Sequence, residues 1–260
     1  MRVVTSAPQP CELVPLPTTG RIHRNEGVVR LGDVDRHGHL RLDGIARVLQ
    51  DVSRDDTRDA ALDRADTDSW VVRRTTIEIR APLRFDERYR SATFCGGVGP
   101  RWAERRVTLS QESGGHVEAA ALWVAVDQTS GRPRRLSDGF HKIWASAAQG
   151  RKVSARRRIP DPDAVGSDGN GIERRPWPLR RSDIDILDHV NNAAAWVAID
   201  DEIGRLGLRP SWAEIEHAGE LPRGCEPLLA STRLVDGVVG IWLEVDGAAA
   251  VAAAVGVSSR

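Results

Sequence analysis

Asp183-Ile184-Asp185-Ile186-Leu187-Asp188-His189-Val190-Asn191-Asn192, followed at once by Ala193-Ala194-Ala195-Trp196-Val197-Ala198-Ile199, puts carboxylates, one imidazole and two adjacent carboxamides directly ahead of a helical pattern. The helix is read from Trp196, Ile199, Ile203 and Leu206, which recur at steps of three and four, with Asn191 or Asn192 as N-cap and Gly207 as the stop. His189 therefore stands beside a helix N-terminus. Free backbone N–H groups there favour developing negative charge, so a carbonyl oxygen becoming an oxyanion would be stabilised. By themselves these residues fit two readings equally well: a reaction centre, or a capped helix preceded by a solvated acidic turn.

Toward the N-terminus, a strand is expected over Glu26 to Asp33, then the polar turn Asp35-Arg36-His37-Gly38-His39. A helix follows, capped by Asp43, with Ile45, Val48, Leu49 and Val52 as its buried stripe and an exposed continuation to Arg64. The period then changes. Strands are expected over Trp70 to Ile79, Arg88 to Cys95, Trp102 to Gln111 and His116 to Val126, punctuated by Pro82, Gly96-Gly97, Gly99-Pro100, Gly114-Gly115 and Gly131. After the linker, strands are expected over Pro176 to Ser182 and, beyond the central helix, near Trp212 to His217, Pro227 to Leu234, Val238 to Val245 and Ala248 to Val257.

The two halves repeat one another. Asp35 and His39 lie over Asp185 and His189, each pair just ahead of a helix, and Ile77-Glu78-Ile79-Arg80-Ala81-Pro82 lies over Ile215-Glu216-His217-Ala218-Gly219-Glu220. Pro82 stands where the second copy has Glu220, so the second copy alone supplies a further carboxylate there. Chemistry is expected in that copy. The reading divides the chain into a flexible segment 1–20, a first domain 21–145, a linker 146–174 and a second domain 175–260. The linker carries Arg151, Lys152, Arg156, Arg157 and Arg158, which read as a solvated run or as a docking patch for an anionic partner.

Composition narrows the function classes. In 260 residues 37 basic side chains balance 37 acidic ones, so nothing global points to nucleic acid or membrane, and an electrostatic partner must be met by a local patch. Cys11, Cys95 and Cys225 are few and far apart, which indicates neither a disulfide framework nor a metal site. There is no apolar leader and no membrane-length apolar run, so a soluble, cytoplasmic protein is expected. Gly96-Gly97-Val98-Gly99-Pro100 has no helix after it and reads as a hairpin rather than a phosphate loop. The eight tryptophans read as core before they read as an acyl tunnel.

From about Glu26 onward the chain resembles the acyl-acyl-carrier-protein thioesterases. The resemblance is carried by Trp70-Val71-Val72-Arg73-Arg74, by Trp102 with Arg105-Arg106, by Leu122-Trp123-Val124 with Gly131-Arg132-Pro133-Arg134-Arg135-Leu136, and above all by Asp183 to Asn192. His-Val-Asn-Asn runs also occur in single-hotdog thioesterases, and the tandem arrangement narrows the match. The resemblance implies an α+β, tandem (double) hotdog fold, each half an antiparallel sheet wrapped around a central helix. The first half would hold the acyl chain and the second the catalytic groups. The family's Asp-x-Asn-x-His pattern, followed by a Glu and usually a Cys, falls on Asp185, His189 and Glu220, with Leu187 in place of the Asn and Leu221 in place of the Cys. Asn191, Asp188 or the helix amides would then substitute for the missing carboxamide, with Asn191, Asn192 and Leu187 lining the substrate or oxyanion position.

The expected reaction is hydrolysis of a fatty acyl-carrier-protein thioester by water activated by a carboxylate and histidine, with no metal and no cofactor. Direct attack by a carboxylate is a variant. The expected partner is acyl carrier protein, docked in part by Arg156, Arg157 and Arg158, with no nucleic acid and no membrane, the protein being a monomer or homodimer. Alternatives are an acyl-coenzyme A thioesterase of the same fold and a non-catalytic acyl-thioester binder; for a hydratase, the expected Asp-x-Asn-Pro element is missing.

Overall fold

In a computed structural model, residues 8–60, 69–127, 129–165, 171–186, 188–219 and 221–259 are described. The chain forms two compact units, Glu12–Arg156 and Arg157–Arg260 with Met1–Cys11. The first contains β1 (His23–Val28), a 3-10 turn at Leu31–Asp33, α1 (Leu42–Asp59), β2 (Ser69–Ala81), β3 (Arg88–Val98), β4 (Trp102–Ser110), β5 (His116–Val126) and α2 (Asp138–Ile143). The second contains α3 (Pro162–Val165), β6 (Glu173–Pro176), a 3-10 turn at Arg181–Asp183, α4 (Asn192–Arg205), β7 (Leu208–His217), β8 (Leu228–Arg233), β9 (Val238–Val245) and β10 (Ala248–Ser259). The strand orders are β1-β3-β4-β5-β2 and β6-β8-β9-β10-β7, antiparallel throughout. The two orders are the same, and so is the sequence of elements from first strand to last. The duplicated unit read from the sequence is present, and the tandem hotdog that the resemblance implies is the fold.

In the first unit Leu42, Ile45, Ala46, Leu49 and Val52 make the buried stripe of α1, at the helical spacing that the sequence displays. In the second, Ala195, Trp196, Ile199 and Ile203 do the same for α4. Asn191 caps α4, its Oδ1 accepting the Ala193 N–H at 2.8 Å, and Gly207, at φ 71°, stops it.

Several local expectations change. The first strand ends at Val28, and the chain tightens into the 3-10 turn so that the Asp33 carbonyl accepts the Arg41 N–H at 3.0 Å. Pro176 to Ser182 is not a strand: β6 ends on Pro176, because prolines at 176 and 178 have no N–H for a ladder. Asp43 lies inside the first turn of α1 rather than capping it, its carboxylate held by Arg41 Nε at 2.8 Å and Arg47 Nη2 at 2.8 Å. The continuation of α1 to Arg64 lies outside the described residues.

The expected linker is pinned along its described length. Arg151 Nη1 donates to Gly96 O at 3.0 Å, Lys152 bridges Val98, Trp102 Nε1 donates to Val153 O at 2.8 Å, and Arg74 donates to Ser154 O and Arg156 O. A Cβ on Gly97 would collide with Val153, so glycine is needed for this close approach. Past Arg156 the chain is held by the second unit. Glu216 accepts the N–H groups of Arg158 and Ile159, Arg158 Nη1 lies 3.1 Å from Glu214 Oε2, and Trp242 Nε1 donates to Pro160 O at 3.0 Å. Ile159 joins Ala230, Trp242, Ala252 and Ala254 in one core cluster, the alanines leaving room for the indole.

Trp196, Trp242 and Trp144 are buried, and Trp144 Nε1 donates to the buried Asp56 at 2.8 Å. These three serve packing, as the sequence favours. Glu214 is buried, so removing the Arg158 guanidinium takes away one of the groups that meet its charge. Arg158→Ala is expected to lower stability by about 1 to 2 kcal/mol, measured by urea unfolding; an unchanged midpoint would show the contact to be dispensable.

Candidate active site

The stretch 183–192 closes on itself before α4 begins. Ile184 bridges Val190, Asp185 N–H donates to His189 O at 2.9 Å, Asp188 N–H donates to Asp185 O at 3.1 Å, and Asn191 N–H donates to Asp183 O at 2.8 Å. Asp188 adopts φ 62° to make the corner, and its exposed carboxylate is 3.3 Å from Arg223. Asp183 is buried and accepts the Arg180 N–H at 2.8 Å. Two of the carboxylates thus have structural work, which leaves Asp185 as the acidic candidate within the turn. Asp185 and His189 are half-buried, and both are engaged in contacts.

A second segment lies along this turn. Val190 N–H donates to Leu221 O at 2.9 Å, and His189 forms a bridge with Pro222. The backbone that follows position 220 is therefore laid against the backbone of His189. Glu220 and Leu187 themselves lie outside the described residues. Leu221, which stands where the family pattern usually has a Cys, is buried at 5% exposure.

The first unit repeats the arrangement bond for bond. Asp35 N–H donates to His39 O, Gly38 N–H to Asp35 O, Leu40 N–H to Leu83 O and Arg41 N–H to Asp33 O, while His39 bridges Arg84. These bonds align position 82 with 220, so Pro82 is the counterpart of Glu220. Asp35 Oδ1 also accepts the N–H groups of His37 and His39 at 2.8 and 2.9 Å. An Asp at this place of the repeat has the geometry to close the turn and fix the histidine backbone. Where the second copy has Asn191 and Asn192, the first has Arg41, ion-paired to Asp43, and the buried Leu42.

The α4 N-terminus is partly spent. Ala193 N–H goes to the Asn191 side chain, and Ala194 and Ala195 N–H go to its carbonyl. Asn191 is thus the cap, and half-buried Asn192, in the first turn, is the carboxamide beside it. Burial raises the Cys225 thiol, and burial raises Cys95 to about 11, so neither is a ready thiolate. The arginines read as a docking patch, Arg156, Arg157 and Arg158, are all exposed; Arg157 pairs with Asp161 at 2.7 Å and Arg158 with Glu214. What the sequence did not reveal is the part of Leu221 and Pro222 in framing His189, since a backbone ladder leaves no side-chain signature. No helix among the described residues is long and apolar enough to cross a membrane.

Residues 20–144 match the profile of the acyl-ACP thioesterase N-terminal domain. That segment is similar to an acyl-ACP thioesterase domain. The fold as a whole is similar to that of solved structures: a putative oleoyl thioesterase from Lactobacillus plantarum superposes with TM-score 0.78 at 19% identity, covering 94% of this chain and 99% of that one. An acyl-ACP thioesterase from Bacteroides thetaiotaomicron gives TM-score 0.75 at 19% identity, covering 91% and 98%. The 12:0-ACP thioesterase from Umbellularia californica gives 0.72 at 16%, covering 92% and 98%. Among curated proteins, an uncharacterized protein of Mycobacterium tuberculosis is 29% identical over 229 residues, 87% of this chain and 88% of its own. The thioesterase profile covers the copy that has Pro82, whereas the candidate chemistry lies in the copy that has Glu220.

Proposed function

We propose that the protein hydrolyses fatty acyl thioesters borne by acyl carrier protein in the cytoplasm, releasing free fatty acid and the carrier thiol. The single observation that carries this reading is the ladder of His189 and Val190 against Leu221 and Pro222, which brings the main chain beside Glu220 to the histidine in the one copy that has a carboxylate there. Glu220 and His189 activate a water, with Asp185 holding the turn as Asp35 does in the first copy. The water oxygen bonds to the thioester carbonyl carbon as its proton passes to the base. The resulting oxyanion lies toward Asn192 and the α4 N-terminus, its collapse breaks the C–S bond, and the thiolate leaves and takes up a proton. Leu187 stands where the resemblance expects an Asn, and Asn192 is the carboxamide that takes over. Arg156 remains a weak docking candidate.

The test is thiol release from acyl-carrier-protein and acyl-coenzyme A substrates across chain lengths. Faster turnover of carrier-bound substrates supports the reading, and preference for coenzyme A would move the protein to the acyl-coenzyme A thioesterases. Leu187 and Leu221 favour one other reading, a non-catalytic binder, which predicts acyl-thioester binding without thiol release. No cysteine of the protein takes part in this chemistry, so Cys225→Ser is expected to retain activity. Loss of turnover in a folded Cys225→Ser protein would restore a thiol mechanism.

A further inference from the structure

At the end of the first unit that corresponds to the His189 turn, exposed apolar side chains stand beside arginines. Leu31 is 72% exposed and Phe85 is 42% exposed. The two are held at one end of the unit by backbone bonds: Phe85 N–H donates to Gly38 O at 2.8 Å, and Asp86 N–H donates to Val29 O at 3.0 Å. Around them are Arg30, next to Leu31, Arg36 at the tip of the turn, and Arg84, whose backbone bridges His39; all three are exposed. Among the described residues none of these three guanidinium groups is ion-paired to a carboxylate; Arg36 donates to His37 Nε2 at 3.1 Å.

The corresponding end of the second unit is charge-compensated. Arg180 lies 3.2 Å from Asp183 and Arg223 3.3 Å from Asp188, and the places of Leu31 and Phe85 are taken by Arg181 and Arg223. The first copy thus keeps the turn, has Pro82 in place of the carboxylate of Glu220, and presents two apolar side chains beside three arginines that are not ion-paired among the described residues, with exposed Asp86 next to Phe85. Exposed apolar groups beside arginine are the composition of a protein interface core, and guanidinium forks match carboxylates. Because the chain as a whole is neutral, recognition here rests on these particular guanidinium groups, and a partner that pairs with them is anionic with apolar side chains among its acids.

We propose that Arg30, Leu31, Arg36, Arg84 and Phe85 form the docking face for the acidic carrier protein. The identity of that partner rests on the thioesterase reading. Binding of fluorescently labelled holo-carrier to the full-length protein tests the face, at low and moderate salt, for the wild type, for Arg30→Glu with Arg84→Glu, and for Leu31→Ser with Phe85→Ser. Wild-type affinity is expected to fall as salt rises, and each double variant to bind at least about tenfold more weakly, with unchanged thermal melting. Arg30 and Arg84 are surface side chains, so the charge-reversal pair remains informative if the serine pair misfolds. The kcat/KM for acyl-carrier-protein is expected to fall in parallel, and that for a small N-acetylcysteamine thioester to stay within about twofold.

Unchanged carrier affinity in the folded charge-reversal variant overturns the docking face, whatever the protein hydrolyses. If the wild type hydrolyses no thioester while the variants still lose carrier binding, the face stands and the hydrolase reading falls. Variants that keep carrier binding but no longer sediment with phosphatidylglycerol vesicles overturn the proposal in favour of a lipid surface.

Discussion

His189→Ala and Glu220→Ala are each expected to lower thioester hydrolysis by at least about a hundredfold, the lower end of what a positioned acid-base group contributes, while His39→Ala keeps most of the activity. The contrast comes from comparing two sites of the same backbone geometry. His39 is bridged to Arg84 as His189 is to Pro222, so differences in backbone placement do not explain a difference in effect. What differs is the residue two positions ahead of the bridge, Pro82 in one copy and Glu220 in the other. A proline cannot accept a proton. The measurement is kcat on a carrier-bound acyl thioester with circular dichroism to establish folding, and equal losses at His39 and His189 would remove the assignment to the second copy.

Acid is expected to unfold the second unit through Glu202, and Glu202→Gln should largely abolish this contribution. Glu202 is fully buried on α4 and is met by Arg205 at 2.7 Å, Arg175 at 3.1 Å and the Ser231 hydroxyl at 2.6 Å. Burial by itself would raise its pKa, but the hydrogen bonds from Arg205, Ser231 and Arg175 prevail and hold it at about 2, against an ordinary value of 4.5. A carboxylate with a depressed folded pKa favours folding at pH above its unfolded value, and that stability is lost as pH falls from about 4.5 through about 2. At roughly 1.4 kcal/mol per pKa unit, the contribution near neutrality is on the order of 3 kcal/mol. The gap in urea stability between wild type and Glu202→Gln should therefore be large at pH 7 and shrink by pH 3. A gap that does not change with pH would mean that the carboxylate charge is not what stabilises the cluster.

The sequence by itself determined the duplication and the class of fold, because both are written in local signals. Trp196, Ile199 and Ile203 keep helical spacing, Gly207 stops the helix, and Asp35 with His39 recurs as Asp185 with His189. The asymmetry of Pro82 and Glu220 was legible too, since it needs only the alignment of the copies. Tertiary structure decided how the charged residues are used. Asp183, Asp185 and Asp188 look alike in the sequence, yet Asp183 is buried against Arg180 and Asp188 turns a corner at positive φ. Arg156, Arg157 and Arg158 look like one basic run, yet Arg158 meets Glu214 and its N–H meets Glu216, each more than fifty residues away. The physical reason is the same in both cases. A helix stripe is set by the next turn of the same chain, whereas the state of a charge is set by burial and by partners distant in sequence that the folded sheet brings to it.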